Sequence, residues 1–296
     1  MKHLIDVENL TVDEINQICA KASDFEKGIR KSNHSNAHVV NMFFENSTRT
    51  KFSFEVAQDK LNCNRHDFTA ELSSLNKGES LYDTINNLSA IGANVIIFRH
   101  QDNELIKQAA SQRYFQEISF VNAGSGTTAH PTQALLDYYT IKKRFLNLSE
   151  KTITIVGDIA HSRVAKSNIA LLKKFNMDIR CLAPEELTGD KIGGVKYFTN
   201  LEEAFEGADI IMALRIQKER ISEKIDFENY IKNYQITKDN LPYSAFLMHP
   251  GPVNRNIEIK EDVLETQNAK TILEQAKNGV YVRMAILESI LSSQGL

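Results

Sequence analysis

The sequence predicts an α/β fold of two domains, each a parallel sheet flanked by helices. Three observations carry that expectation. The chain has 296 residues, 42% of them hydrophobic, and a single core rarely keeps growing past ~250 residues. Apolar runs of strand length alternate with segments long enough for a helical crossover, which is the pattern of parallel pairing. A fresh set of such runs opens at Lys151 after a long helical stretch.

Residues 11 to 30 carry Ile15, Ile18, Cys19, Ala22 and Phe25 at helical spacing behind Thr11, a residue suited to capping a helix start. His34 and His38 have helical i,i+4 spacing, but Asn33, Ser35 and Asn36 make the segment a turn, so the pair does not read as a metal site. The apolar run His38 to Phe44 is a buried strand. It leads through Glu45 and Asn46 into Ser47-Thr48-Arg49-Thr50, and then into a helical pattern. There Phe54, Ala57 and Leu61 share one face while Lys51, Glu55 and Asp59 line another. A helix start presents N–H groups without partners at the positive end of the dipole, and three hydroxyls and a guanidinium stand beside them here. Taken singly, Ser47 would be an ordinary N-cap and Arg49 a solvated charge. The run Ser-Thr-Arg-Thr directly after a strand favours an anion site.

Further strands are expected at Arg65 to Ala70, Ala93 to Arg99 and Ile118 to Asn122. The first two are separated by Leu72 to Ser80, a polar stretch with Lys77 before Gly78 that by itself reads as a mobile surface loop. Val95 to Phe98 is continuously apolar, as in a strand covered on both faces, and ends at Arg99. Ligands of open α/β sheets collect at the carboxyl ends of strands, which suits Arg99 to substrate binding. From its residues alone, an exposed strand-end charge is an equally good reading. Asn122 to Ala129 leads to His130-Pro131-Thr132-Gln133 and a helical run, Ala134 to Phe145. Pro131 suits a first helical turn, which sets His130 and Gln133 at its positive end. Gly124-Ser125-Gly126 lacks the third glycine of a dinucleotide loop.

The second domain has strands expected at Thr152 to Val156, Asp178 to Leu182, Asp209 to Leu214 and Ala245 to Met248. At the carboxyl ends of three of them stand His161-Ser162-Arg163, Arg215-Ile216-Gln217 and His249-Pro250-Gly251-Pro252. Arginine forks match carboxylates through two parallel hydrogen bonds, so this domain looks equipped for a dianionic substrate. Lys218 and Arg220 read as surface charges in ion pairs. The tail from Gly279 to Leu291 is helical, with Val280, Met284, Leu287 and Leu291 on one face.

Composition excludes several classes. A formal charge of −3 gives no basis for a nucleic-acid or anionic-membrane partner, and Lys142-Lys143-Arg144 and Lys173-Lys174 read as solvated helix faces. No apolar stretch approaches the ~20 residues that span a bilayer, and the first residues lack the apolar core of a signal peptide. A cytoplasmic protein is expected. Cys19, Cys63 and Cys181 are odd in number and widely spaced, against both a disulfide framework and a zinc cage. Neither G-x-S-x-G nor a P-loop is present.

Phe44 to Glu55 resembles the carbamoyl-phosphate motif of the aspartate and ornithine carbamoyltransferases. Lys77-Gly78-Glu79, His130 to Gln133, Arg215-Ile216-Gln217 and His249 to Pro252 follow in that family's order. The resemblance implies a carbamoyl-phosphate-binding domain over 1–140, with a C-terminal helix 283–296 packing back on it, and an aspartate-binding domain over 141–282. It implies that Ser47, Thr48, Arg49 and Thr50 hold the phosphate, and that Ser74, with Ser73 as the alternative, and Lys77 complete the site from the next subunit of a homotrimer. Thr50, Arg99 and His130 would polarise the carbonyl, while Gln133 and the carbonyls around Pro250, Gly251 and Pro252 would orient the carbamoyl amide. Arg163, Arg215, Gln217 and Lys77 would hold the acceptor. The ornithine members resemble one another in a His-Cys-Leu-Pro motif, where this chain has His249-Pro250-Gly251-Pro252, and they need acidic groups for a cationic side chain. The resemblance therefore favours carbamoyl phosphate and L-aspartate as substrates, with no cofactor. Gly251 stands where some members have leucine. Regulatory chains or other pathway enzymes as partners stay open, as does a non-catalytic anion-binding protein of the same fold.

Overall fold

Thr11 and Glu14 cap the first helix reciprocally. The Thr11 hydroxyl accepts from the Glu14 N–H at 3.1 Å, and the Glu14 carboxylate accepts from the Thr11 N–H at 2.8 Å. The helix, α1 (Val12–Glu26), buries Ile15, Ile18, Cys19, Ala22 and Phe25, the face that its sequence spacing marks. The computed structural model of the chain describes residues 1–70, 73–217 and 226–296, apart from the side chain of Tyr114. It divides into two compact units, 1–136 with 276–296 and 137–275.

The first unit holds β1 (His38–Phe43), α2 (Thr48–Lys60), β2 (Asn64–Phe68), α3 (Leu81–Ile91), β3 (Val95–His100), α4 (Leu105–Ser111) and β4 (Ser119–Ser125). The strands form a parallel sheet in the order β2-β1-β3-β4. β4 runs three residues past its expected end at Asn122, because the Asn122 side chain turns along the strand and accepts from the Gly124 N–H at 2.8 Å and the Ser125 hydroxyl at 3.0 Å. Leu4 adds a parallel bridge to Val121. Beside it, the His3 ring stacks on Phe120 and accepts from the Phe120 N–H at 3.1 Å. Burial, with Lys2 close by, lowers the His3 pKa to about 4, so the ring is a neutral acceptor. Phe54 and Ala57 on α2, Leu61 just after it, and Phe98, Phe115 and Phe120 are buried in the core.

The last helix, α10 (Lys270–Ser293), departs from expectation. It begins at Lys270 rather than Gly279, and every residue from Val282 to Leu287 is buried along with Glu288, so no single face carries its packing. Glu288 accepts from Arg30 at 2.7 Å and meets His34 Nε2 at 2.5 Å. Burial alone would raise its pKa, but hydrogen bonds from His34, Arg30 and Ser32 outweigh that and bring it from 4.5 to about 2. The depressed pKa means that this group's contribution to stability is complete above about pH 4.5 and is lost as pH falls through 2. Wild type should therefore lose on the order of 2 kcal/mol more stability than Glu288→Gln between pH 5 and pH 2.5. Denaturation midpoints of both proteins across that range check this, and parallel curves would remove the group from acid sensitivity.

The second unit holds β5 (Thr152–Val156), α6 (Arg163–Lys173), β6 (Asp178–Leu182), α7 (Glu185–Thr188), β7 (Lys196–Phe198), α8 (Leu201–Phe205), β8 (Ile210–Ala213), α9 (Phe227–Tyr234) and β9 (Phe246–Met248). These strands form a parallel sheet in the order β7-β6-β5-β8-β9. The edge strand β7, three residues long, was not expected. The chain passes from the first unit to the second inside α5 (Pro131–Lys142), between Leu136 and Asp137, and returns inside α10, between Gln275 and Ala276. The cations after Tyr139 are not simply solvated. Lys142 and Lys143 lie over the rings of Tyr138 and Tyr139, and Arg144 lies over Phe246 while donating to Thr271 and Glu274. Lys173 donates to the Gly193 carbonyl. Cys19 and Cys181 are buried and Cys63 half-buried, all three free thiols. Among the described residues no helix is long and apolar enough to cross a membrane.

Candidate active site

In the first unit β1 lies between β2 and β3, so successive crossovers leave it on opposite sides and open a crevice at the carboxyl ends of β1 and β3. Phe43 stands in register with Arg99, and the Phe44 N–H donates to the Arg99 carbonyl at 2.9 Å. The Ser47 turn and Arg99 therefore leave the sheet at one edge. Ser47 occupies the N-cap position of α2, yet its hydroxyl caps no N–H, and no acidic residue stands in the first turn. The plain capping role is thus not the one Ser47 performs. Thr48 and Arg49 are exposed, Ser47 is half-buried, and Thr50 is buried.

Arg99 is not an exposed strand-end charge. Its side chain is 12% accessible, pairs with Glu45 at 3.3 Å and donates to the Ala123 carbonyl at 3.2 Å. That carbonyl belongs to β4, whose end feeds the turn to His130. The turn is tight: a Cβ on Gly126 (φ +40°) would come within 2.6 Å of the Gln101 carbonyl, and Asn103 Oδ1 accepts from the Thr127 N–H and the Thr128 hydroxyl. His130 and Gln133 are both buried. The His130 carbonyl accepts from the N–H groups of Gln133 and Ala134, which fixes His130 as the residue opening α5.

Lys77 is exposed at the end of a 3-10 turn, Ser74–Lys77, closed by Gly78 at φ +91°. In place of an irregular loop these residues form a turn that side chains tie to α3. The Ser74 hydroxyl donates to Glu79, which also accepts from Thr84 at 3.1 Å and Asn87 at 2.6 Å. The Ser74 bond is the chief reason that the Glu79 carboxyl is held below its usual range. Ser73 donates to the Ala70 carbonyl. Both serine hydroxyls are thus engaged within the chain.

In the second unit the same topology recurs with β5 between β6 and β8. Ser162 caps α6 through the Ala165 N–H, leaving Arg163, buried, as its first residue. Gly157 follows β5 at φ +119°, where a Cβ would lie 2.9 Å from the Leu214 carbonyl, so the ends of β5 and β8 approach closely. Arg215 and Gln217 leave β8 at this point. Asp158, fully buried, accepts from the His161 N–H and ring and from the Gln217 N–H at 3.3 Å, while the Gln217 side chain donates to the His161 carbonyl at 2.8 Å. Glu258 accepts from the Ile216 N–H at 2.8 Å. Burial raises the Glu258 pKa, with hydrogen bonds from Ile216 and Asn254 opposing it.

After β9, His249 Nδ1 accepts from the Gly251 N–H at 2.7 Å, and the Gly251-Pro252 peptide is cis. The His249 N–H donates to the Gln275 side chain, which donates to Asp137, which accepts in turn from Asn168. Sequence reading assigned no role to Asp137, Asp158, Glu258 or Gln275. Only Asp158 carried a local signal, standing directly after Gly157 at a strand end. Lys218 and Arg220 lie outside the described residues. Among the described residues no cluster of three or more His, Cys, Asp or Glu side chains could hold a metal ion.

Two parallel sheets, with Arg99 at the carboxyl end of β3 in one and Arg215 and Gln217 following β8 in the other, define a two-unit α/β protein. The family model "Aspartate/ornithine carbamoyltransferase, carbamoyl-P binding domain" matches residues 2–143, and "Aspartate/ornithine carbamoyltransferase, Asp/Orn binding domain" matches 149–290. The chain belongs to the aspartate/ornithine carbamoyltransferase family. It is 38% identical over 299 aligned positions to the aspartate carbamoyltransferase catalytic subunit of Streptococcus pneumoniae (strain CGSP14), covering 99% of this chain and 97% of that protein. Among solved structures, aspartate transcarbamoylase from Trypanosoma cruzi in complex with carbamoyl aspartate and phosphate superposes with a TM-score of 0.87 at 28% identity, covering 98% of this chain and 96% of that one. The catalytic subunit of M. jannaschii aspartate transcarbamoylase gives 0.86 at 31% identity, covering 99% and 100%.

Proposed function

We propose that the chain transfers the carbamoyl group of carbamoyl phosphate to the amine of L-aspartate, giving N-carbamoyl-L-aspartate and phosphate in pyrimidine synthesis. One observation carries this reading: an anion-ready helix start beside Arg99 at one switch point, and Arg163, Arg215 and Gln217 at the other. The first suits a phosphate and the second a dicarboxylate. An ornithine side chain would bring a cation toward two arginines. The name of the pneumococcal relative and the carbamoyl aspartate held by the trypanosomal enzyme support the same acceptor.

The donor is a reactive mixed anhydride, so the task is to position the amine and stabilise a tetrahedral oxyanion, and positioning alone supplies ~7 kcal/mol or more. Ser47, Thr48, Arg49 and Thr50 hold the phosphate, with Lys77 and Ser74 or Ser73 supplied by a neighbouring chain. Thr50, Arg99 and His130 donate toward the carbonyl oxygen as it gains charge. Gln133 and the carbonyls of the Pro250-Gly251-Pro252 turn orient the carbamoyl NH₂. Arg163, Arg215 and Gln217, with Lys77, bind the acceptor carboxylates. The neutral amine nitrogen attacks the carbonyl carbon, the carbon–oxygen bond to phosphate breaks, and the departing phosphate takes the amine proton. The donor domain is assigned to 1–140 with helix 283–296, the acceptor domain to 141–282, and the working unit is a cytoplasmic homotrimer. The pneumococcal relative's description as a catalytic subunit makes regulatory chains candidate partners.

Phosphate release from carbamoyl phosphate by the purified chain, with aspartate and with ornithine in parallel, tests the reading. Turnover is expected with aspartate alone. Turnover with ornithine would overturn the roles of Arg163 and Arg215, and silence with both would overturn the activity.

A further inference from the structure

Glu258 is 1% exposed and lies in the loop after β9, remote in sequence from Arg163, Arg215 and Gln217. Its Oε1 accepts from the Ile216 N–H at 2.8 Å and from Asn254 Nδ2 at 2.7 Å, and its Oε2 accepts from the Asn254 N–H at 2.9 Å. Asn254 Nδ2 also reaches the Ile216 carbonyl at 3.4 Å. Both polar groups of the Ile216 backbone are therefore held by one carboxylate–amide pair.

The geometry points to Glu258 as a positioning residue for the acceptor subsite, acting through Ile216 on Arg215 and Gln217; this rests on the carbamoyl-transfer reading. The Ile216 N–H belongs to the peptide plane shared with Arg215, and the Ile216 carbonyl to the plane shared with Gln217. Peptide planes are rigid, so holding one group in each fixes both dihedrals of Ile216 and the directions in which its two neighbours project. The Ile216 side chain is fully buried and anchors the third direction. A carboxylate suits this place because both of its oxygens only accept, and an ionised acceptor makes the stronger hydrogen bond. A buried charge with donors removed is costly, so the loop and the β8 end stay locked together. A glutamine would present an NH₂ to one of the two backbone N–H groups and lose that bond.

The test compares wild type, Glu258→Gln and Asn254→Ala as full chains, measuring kcat and KM for each substrate together with the thermal midpoint. Glu258→Gln is expected to raise KM for aspartate about tenfold while KM for carbamoyl phosphate stays within about twofold. Asn254→Ala keeps the carboxylate but frees the Ile216 carbonyl, and should raise KM for aspartate about threefold. A merely structural role would lower the midpoint and the active fraction, hence kcat, without moving the two KM values apart. If Glu258→Gln does not fold, Asn254→Ala decides. Wild type active with aspartate, and variants whose two KM values change together or not at all, would overturn the positioning role alone. Wild type silent with aspartate would overturn the transfer reading and this proposal with it.

Discussion

His130→Ala is expected to lower kcat about 10²- to 10³-fold while leaving affinity for inorganic phosphate nearly unchanged. The side chain is buried at the residue opening α5, and a helix start is the positive end of the helix dipole. In the bound donor the carbonyl oxygen carries little charge, and it becomes an oxyanion only as the amine bonds to carbon. A donor aimed at that oxygen therefore stabilises the transition state more than the ground state, which appears in kcat. In the proposed mechanism the phosphate is held elsewhere, by the first turn of α2. Inhibition by phosphate and steady-state kinetics on the same preparation separate the two effects, and an unchanged kcat would remove His130 from this role.

Lys77→Ala and Arg49→Ala chains, each nearly inactive alone, should regain activity when dissociated together and reassembled. Lys77 is exposed on its turn and Arg49 is exposed on α2. If each site takes Arg49 from one chain and Lys77 from its neighbour, a mixed trimer contains sites in which both residues are intact. In a random mixture of equal parts, half of the chains keep Arg49 and half of their neighbours keep Lys77, so about one quarter of sites are whole. Recovery near a quarter of wild-type activity is the expected result. Mixed trimers without recovery would mean that sites are not built across subunits. The hydrogen bond from Ser74 to Glu79 gives this experiment a second use, since removing Glu79 as well would free a serine hydroxyl that the isolated chain keeps engaged.

Much of this architecture is legible in the residues because burial on both faces leaves a distinct mark. Thr152 to Val156 and Asp178 to Leu182 are found with the expected ends, since apolar runs bounded by polar residues admit few alternatives. Thr11 is likewise a local signal for a local event. Lys196 to Phe198 is a strand only because β6 lies beside it, and three half-exposed residues carry no period to read. The early start of α10 escaped because the face its first turns bury is polar, Thr271, Gln275 and Asn278, and shows no apolar stripe. Polar side chains were the hardest to foresee. Glu258, in Arg255-Asn256-Ile257-Glu258, has the look of a surface loop residue, and its burial follows from a partner at Ile216. His34 is similar: its turn was evident, but its contact with Glu288 spans most of the chain.

The positions at which the chain crosses between units bear on how the protein is made. The second unit is one uninterrupted segment, whereas the first is split into 1–136 and 276–296. During synthesis, Met1 to Leu136 emerges with its sheet but without the C-terminal segment that carries Glu288, the partner of Arg30 and His34, and Gln294, the partner of Ser119. The segment from Asp137 to Gln275 has all its strands before the last turns of α10 leave the ribosome. Domains fold as units while the chain is being made, and contacts of long sequence separation come late. The half that is translated first is therefore the half that finishes folding last, since buried Glu288, whose carboxylate meets Arg30 and His34, is among the last residues made.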